Sequence, residues 1–87
     1  FIPIRSIFKK QDVLIVDFHP DMLVLIDGKT ITHIQNTYVL VHSLLEFSQM
    51  RKMIFLFDGG RAVPSKSNIN FKEGLIVNPY IVRGTEV

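Results

Sequence analysis

The first apolar stretches of the chain have the composition of β-strands. Residues 4–9 and residues 13–18 flank Lys10, Gln11 and Asp12, and a three-residue connection suits an antiparallel hairpin. The second stretch is apolar on both faces until Asp17, which is typical of a strand covered on both sides. Pro20 ends it, because proline donates no backbone hydrogen bond. Residues 22–26 are apolar without a clear period and fit either a short strand or a loop against the core.

A long amphipathic segment follows and predicts a helix that Thr30 caps and that runs to about Ser48. At about 100° per residue, one stripe of this helix is apolar; it contains Ile31, Ile34, Tyr38, Val41 and Leu45. A second apolar arc lies beside the stripe and contains Leu40, Leu44 and Phe47, with His33 among them. Since the two together span nearly half the circumference, we expect the helix to be covered from two directions.

The end of the chain predicts two more strands. Residues 53–57 are apolar on both faces, and Asp58-Gly59 is a strong hairpin signal because the turn requires a positive φ. We therefore expect Gly59 in a tight turn and residues 61–63 as the returning strand. Residues 78–87 read as an extension or linker.

This order of elements predicts one α+β domain over residues 1–77, with a small mixed sheet of about four strands and one main helix. The helical crossover makes the second and third strands parallel. The expected core consists of Leu14, Val16, Ile34, Tyr38, Val41, Leu45, Phe55 and Phe57.

Composition removes several functional classes. The chain has no cysteine, so disulfides and thiolate metal sites are excluded, and no apolar run reaches the roughly 18 residues of a membrane span. The formal net charge of +2 is far from that of a nucleic-acid-binding domain. Its basic pairs are Lys9-Lys10 and Arg51-Lys52, and the Gly-x-x-Gly loop of a KH domain is missing. We expect no nucleic-acid partner, and a KH-like binder stays a weaker alternative.

Candidate chemistry is sparse. Asp17, His19 and Asp21 alternate and offer an alternative function, a metal-dependent accessory or enzyme, although Pro20 bends the chain between them. His33 and His42 fall on opposite sides of the helix and cannot share an ion. We find no nucleophile motif or phosphate-binding glycine loop, and we expect no catalytic residue, metal or cofactor.

Four segments, in this order and spacing, resemble the GerMN domain family, known as the sporulation and spore germination domain. They are Val16-Asp17-Phe18, Ser43-Leu44-Leu45-Glu46-Phe47, Met50-Arg51-Lys52-Met53 and Phe55-Leu56-Phe57-Asp58-Gly59-Gly60. The resemblance covers residues 1–76. It departs from the family where Ser43 and Leu45 replace two threonines, and the family's first strand and helix have no counterpart before Phe1.

The resemblance implies an extracytoplasmic domain of a bacterial cell-envelope protein, commonly a lipoprotein with its lipid anchor upstream. It also implies a fold similar to the ring-building motifs of secretion and sporulation channels, which are scaffolds without catalytic residues. We therefore expect a non-catalytic interaction domain that self-associates or binds an envelope protein. Its candidate interface is the second helix arc, formed by His33, Leu40, Leu44 and Phe47.

Overall fold

A computed structural model describes residues 3–77, so the predicted extension at 78–87 lies outside the described residues. It shows an α+β fold in which one main helix packs on a small mixed sheet. The strands are β1 (Ile4–Lys10), β2 (Val13–Phe18) and β3 (Lys52–Phe57), and the helices are α1 (Leu23–Ile26) and α2 (Ile31–Ser48).

The sheet has the order β1-β2-β3. β1 and β2 form the predicted antiparallel hairpin, although its turn is one residue shorter because β1 extends to Lys10. β3 lies parallel to β2, as the helical crossover predicted. The backbone N–H groups of Arg51 and Lys52 donate to the carbonyl of Asp12 at 2.9 and 3.4 Å, which ties the hairpin turn to the start of β3.

The prediction of about four strands is wrong for the described residues, which form a three-stranded sheet. The chain does reverse after β3, but only Ala62 forms an isolated bridge, to Phe57. Asp58, Gly59 and Gly60 all have positive φ and form a 3₁₀ turn that is wider than a two-residue hairpin. Pro64 then supplies no donor to continue the pairing. The predicted positive φ of Gly59 is confirmed, at 67°.

Residues 22–26 form neither a strand nor a loop. A 3₁₀ turn over Pro20–Met22 leads into α1, and the imidazole Nδ1 of His19 accepts a hydrogen bond from the backbone N–H of Asp21 at its start. Met22 and Ile26 are buried, four residues apart, while Val24 is exposed. This i,i+4 spacing suits a helix turn, but the unbroken apolar run hides it.

α2 has the predicted bounds. The Thr30 hydroxyl accepts a hydrogen bond from the backbone N–H of His33 at 3.2 Å, and Gln49 ends the helix in the left-handed conformation at φ 60°. Asn36 donates from its side chain to the Leu25 carbonyl at 2.9 Å, so that α1 is joined to α2. The helix is thus covered by the sheet and by α1.

The core contains most of the expected residues. Leu14, Val16, Val41, Leu45, Phe55 and Phe57 are buried, but Ile34 and Tyr38 are only partly buried. The buried stripe of α2 instead starts at Thr37, whose hydroxyl donates to the His33 carbonyl at 3.0 Å and is thereby satisfied. Six further residues join the core: Phe18, Met22, Ile26, Met53, Phe71 and Leu75.

A phenylalanine cluster occupies the centre of this core. The ring of Phe55 stacks on Phe18 at a centroid distance of 5.2 Å and meets the edge of Phe71 at 5.1 Å. Phe57 lies 5.9 Å from Phe18 and 6.1 Å from Phe71. The cluster therefore joins β2 and β3 to the 3₁₀ turn over Phe71–Glu73.

Truncation of Phe55 to Ala is expected to cost about 3–5 kcal/mol of unfolding free energy, because it opens a cavity among three aromatic rings. Phe47→Ala is the matched control, since Phe47 is 89% exposed and the same change should cost no more than about 0.5 kcal/mol. Urea denaturation followed by circular dichroism measures both. Equal midpoints for the two variants would contradict the position of Phe55 at the centre of the core.

Gly59→Val is expected to destabilise the domain by about 1 kcal/mol or more through backbone strain alone, because no atom lies within 4 Å of a Cβ at this position. Gly59→Asn is the control, because asparagine tolerates the left-handed region better than a β-branched residue does. Thermal melting should rank the parent above Gly59→Asn and Gly59→Asn above Gly59→Val. A valine variant as stable as the asparagine variant would contradict the strained turn.

Candidate functional site

The residues of the predicted interface lie along α2 but do not form one compact patch. His33 lies in the first turn and Phe47 in the last, about 21 Å apart along the axis at 1.5 Å per residue. Leu40 and Leu44 are partly buried and pack against the core cluster. The expectation that this part of the arc is separate from the core is therefore wrong. Phe47 projects into solvent with 89% of its surface exposed.

His33 belongs to the beginning of the helix. Its Nδ1 shares a hydrogen bond of 2.6 Å with the Thr30 hydroxyl. The imidazole lies over Gly28, where any Cβ would collide with the ring. His33 is therefore a partly buried, hydrogen-bonded residue that orders the entry to α2.

The exposed apolar residues of α2 are the ones able to make new contacts. Ile31, Val39 and Phe47 are 63%, 52% and 89% exposed. A fully solvated phenylalanine in the last helical turn gains about 1.5–3 kcal/mol when a partner buries it. This end of α2 is thus suited to apolar binding.

The alternating cluster of Asp17, His19 and Asp21 is not brought together around one point. The Asp17 carboxylate is buried and accepts a hydrogen bond from the backbone N–H of Gly59 at 2.9 Å. His19 and Asp21 are exposed, and their side chains lie 3.4 Å apart. Within residues 3–77 no three His, Asp or Glu side chains are grouped to hold a metal ion. Asp17 instead fixes the turn after β3.

The sheet has a second face that the sequence did not reveal as open. The register aligns Phe8, Ile15 and Ile54 in one row across the strands. Phe8 is 54% exposed, and neither Ile15 nor Ile54 packs against the core cluster. The apolarity of both faces of β2 and β3 was the available signal, but it indicated a covered strand.

The same register gathers the basic pairs at one end of the sheet. Lys10 and Lys52 flank Val13 in a row that lies two residues along the strands from the apolar row, on the same face of the sheet. Lys9 precedes Lys10 at this end of β1, and Arg51 lies 4.0 Å from Asp12 in an ion pair. The two basic pairs, which are far apart in the sequence, thus lie at the same end of the sheet and form one positive rim. The parallel pairing of β2 and β3 is what brings them together.

Asp27 anchors the loop that follows the turn after β3. Its carboxylate accepts hydrogen bonds from the backbone N–H groups of Ser65, Lys66 and Ser67 at 3.1, 2.8 and 3.0 Å. Burial raises the pKa of the Asp27 carboxyl, but these hydrogen bonds outweigh it and hold the pKa below the ordinary value of 3.8. A groove of about 850 Å³ lies between this loop and the start of α2.

Replacement of Asp27 by Asn is expected to destabilise the domain by about 1 kcal/mol at neutral pH, because a charged acceptor of backbone hydrogen bonds is lost. A carboxyl whose pKa is lowered by folding stabilises the folded state above its unfolded pKa. The difference between the parent and the variant should therefore shrink as the pH falls below 3.8. Urea midpoints from pH 7 to pH 2 measure it.

Asp21→Asn is the control for this titration, because it removes the same charge from a side chain that is 85% exposed. Its difference from the parent should be small at pH 7. If the Asp27→Asn variant were as stable as the Asp21→Asn variant at pH 7, the role of Asp27 in anchoring the loop would be contradicted.

Comparison of the chain with protein-family models, with curated proteins and with solved structures finds no match. The resemblance to the GerMN family therefore stays a prediction. Among residues 3–77, no helix combines the length and the apolarity that crossing a membrane requires.

Proposed function

We propose that this chain is a non-catalytic interaction domain of a bacterial cell-envelope protein, one that makes protein–protein contacts in an envelope assembly. The observation that carries the proposal is the exposure of Phe47, which has 89% of its surface in solvent on a helix that buries Thr37, Val41 and Leu45 against the core. Contiguous apolar surface that is exposed to solvent is typical of interaction sites. Leu44 and Leu40 are the partly buried neighbours of Phe47 on the same arc.

The cell-envelope part of the proposal rests on the resemblance of four segments to the GerMN family, and the fold brings these segments into one core. Asp17, at the end of β2, accepts the backbone hydrogen bond of Gly59, so the first and last segments are in contact. The second segment contributes the buried Leu45 to the core, and the third leads into β3 with the buried Met53. The residues that carry the resemblance are thus mutually supporting parts of one fold.

Association through the arc on α2 is expected to make the parent chain self-associate. Phe47→Ser should shift sedimentation toward the monomer, because it removes the exposed apolar residue without touching the core. Sedimentation velocity over a range of concentrations, with thermal melting to verify the fold, measures the effect. Leu40 is not a useful position, since it packs against the core and its replacement would also destabilise the domain.

Val39→Ser is the matched control, because Val39 is 52% exposed on the same helix but outside the arc. This variant should sediment like the parent. A parent chain that is monomeric at all concentrations, or a Val39→Ser variant that dissociates as fully as Phe47→Ser, contradicts the proposed role of the arc.

A further inference from the structure

β1 is an open edge of the sheet within the described part of the chain. It pairs with β2 alone, and no other backbone hydrogen bond among residues 3–77 involves its residues. Alternate residues of a seven-residue strand therefore direct N–H and C=O groups away from the sheet. Such an edge is a template for an added strand, in which backbone pairing supplies affinity and side-chain contacts supply specificity.

The side chains of this edge are apolar in its middle and basic at its end. Ile7 and Phe8 are 47% and 54% exposed, on opposite faces of the strand. Lys9 and Lys10 follow them, and no carboxylate among residues 3–77 forms an ion pair with either lysine. Arg5 differs, because its guanidinium is paired with Asp58.

The charges disfavour a second copy of β1 as the added strand. The sequence of β1 is IRSIFKK, so that each strand brings three cations and no acid. Antiparallel self-pairing centred on Ile7 would place Arg5 opposite Lys9 of the second copy, twice. Like charges directly opposite each other destabilise a strand pair, and opposite charges stabilise it.

We propose that β1 binds an extended acidic segment of a partner protein by strand addition. An antiparallel partner strand must carry two acidic residues followed by two apolar residues, to face Lys10, Lys9, Phe8 and Ile7 in turn. This deepens the proposed function, an interaction domain, by naming a second surface and the chemistry of its partner. It does not depend on the arc of α2.

The test is an NMR titration of the isotope-labelled chain with the synthetic peptide Thr-Thr-Glu-Glu-Val-Tyr-Thr-Thr. The largest chemical-shift changes should be those of the β1 residues. The scrambled peptide Thr-Thr-Glu-Val-Glu-Tyr-Thr-Thr should bind more weakly. The double variant K9E/K10E should weaken binding about tenfold, and a peptide with Lys-Lys in place of Glu-Glu should restore it. K29E/K72E makes the same change of charge at exposed lysines outside the sheet and should bind like the parent.

Several results would overturn the proposal. Equal binding of the scrambled peptide shows attraction by charge without strand pairing. Chemical-shift changes confined to α2 or to the open sheet face show that the peptide binds there and not at β1. Binding of oligothymidylate but of neither peptide, with a steep loss on added salt, assigns the basic rim to nucleic acid. Phe47→Ser leaves β1 unchanged and should bind the peptide like the parent, so that a failure here is distinct from a failure of the arc on α2.

Discussion

The stacking of Phe18 on Phe55 is the contact on which the rest of the fold depends. The two rings come from β2 and β3, which are parallel and can be adjacent only because α2 carries the chain across the sheet. A crossover of this length loses conformational entropy before any strand pair forms, and burial of large aromatic side chains offsets that loss. Phe71 then extends the cluster to the last turn of the described chain.

The cluster lies on one face of the sheet, and this asymmetry determines what is left for function. α1, α2 and the 3₁₀ turn at Phe71–Glu73 all contribute buried residues to the same core, so the described helices cover a single face. The row of Phe8, Ile15 and Ile54 remains on the other. A domain with one packed face and one apolar, partly exposed face offers the second face for docking.

Local patterns in the sequence predicted the elements that have local causes. The cap at Thr30, the extent of α2, the hairpin of β1 and β2 and the positive φ of Gly59 follow from residues a few positions apart. The predictions were wrong where contacts with residues distant in the sequence determine the local structure. Residues 22–26 form the end of a 3₁₀ turn and then α1, because Met22 and Ile26 face a core that the strands supply. Residues 61–63 do not form the predicted fourth strand, because the turn at Asp58–Gly60 is anchored to Asp17 rather than closed as a hairpin.

The two edges of the sheet differ, and the difference limits how the domain can assemble. The outer edge of β3 is occupied at both ends, since Met53 exchanges two backbone hydrogen bonds with Leu75 and the Phe57 carbonyl accepts one from Ala62. The outer edge of β1 has no such partner among residues 3–77. Strand addition at β1 therefore cannot propagate through the sheet to a second open edge, and it ends in a closed complex instead of a fibre. The lysines at the end of β1 also favour a closed complex, because they repel a second copy of the chain and attract an acidic strand.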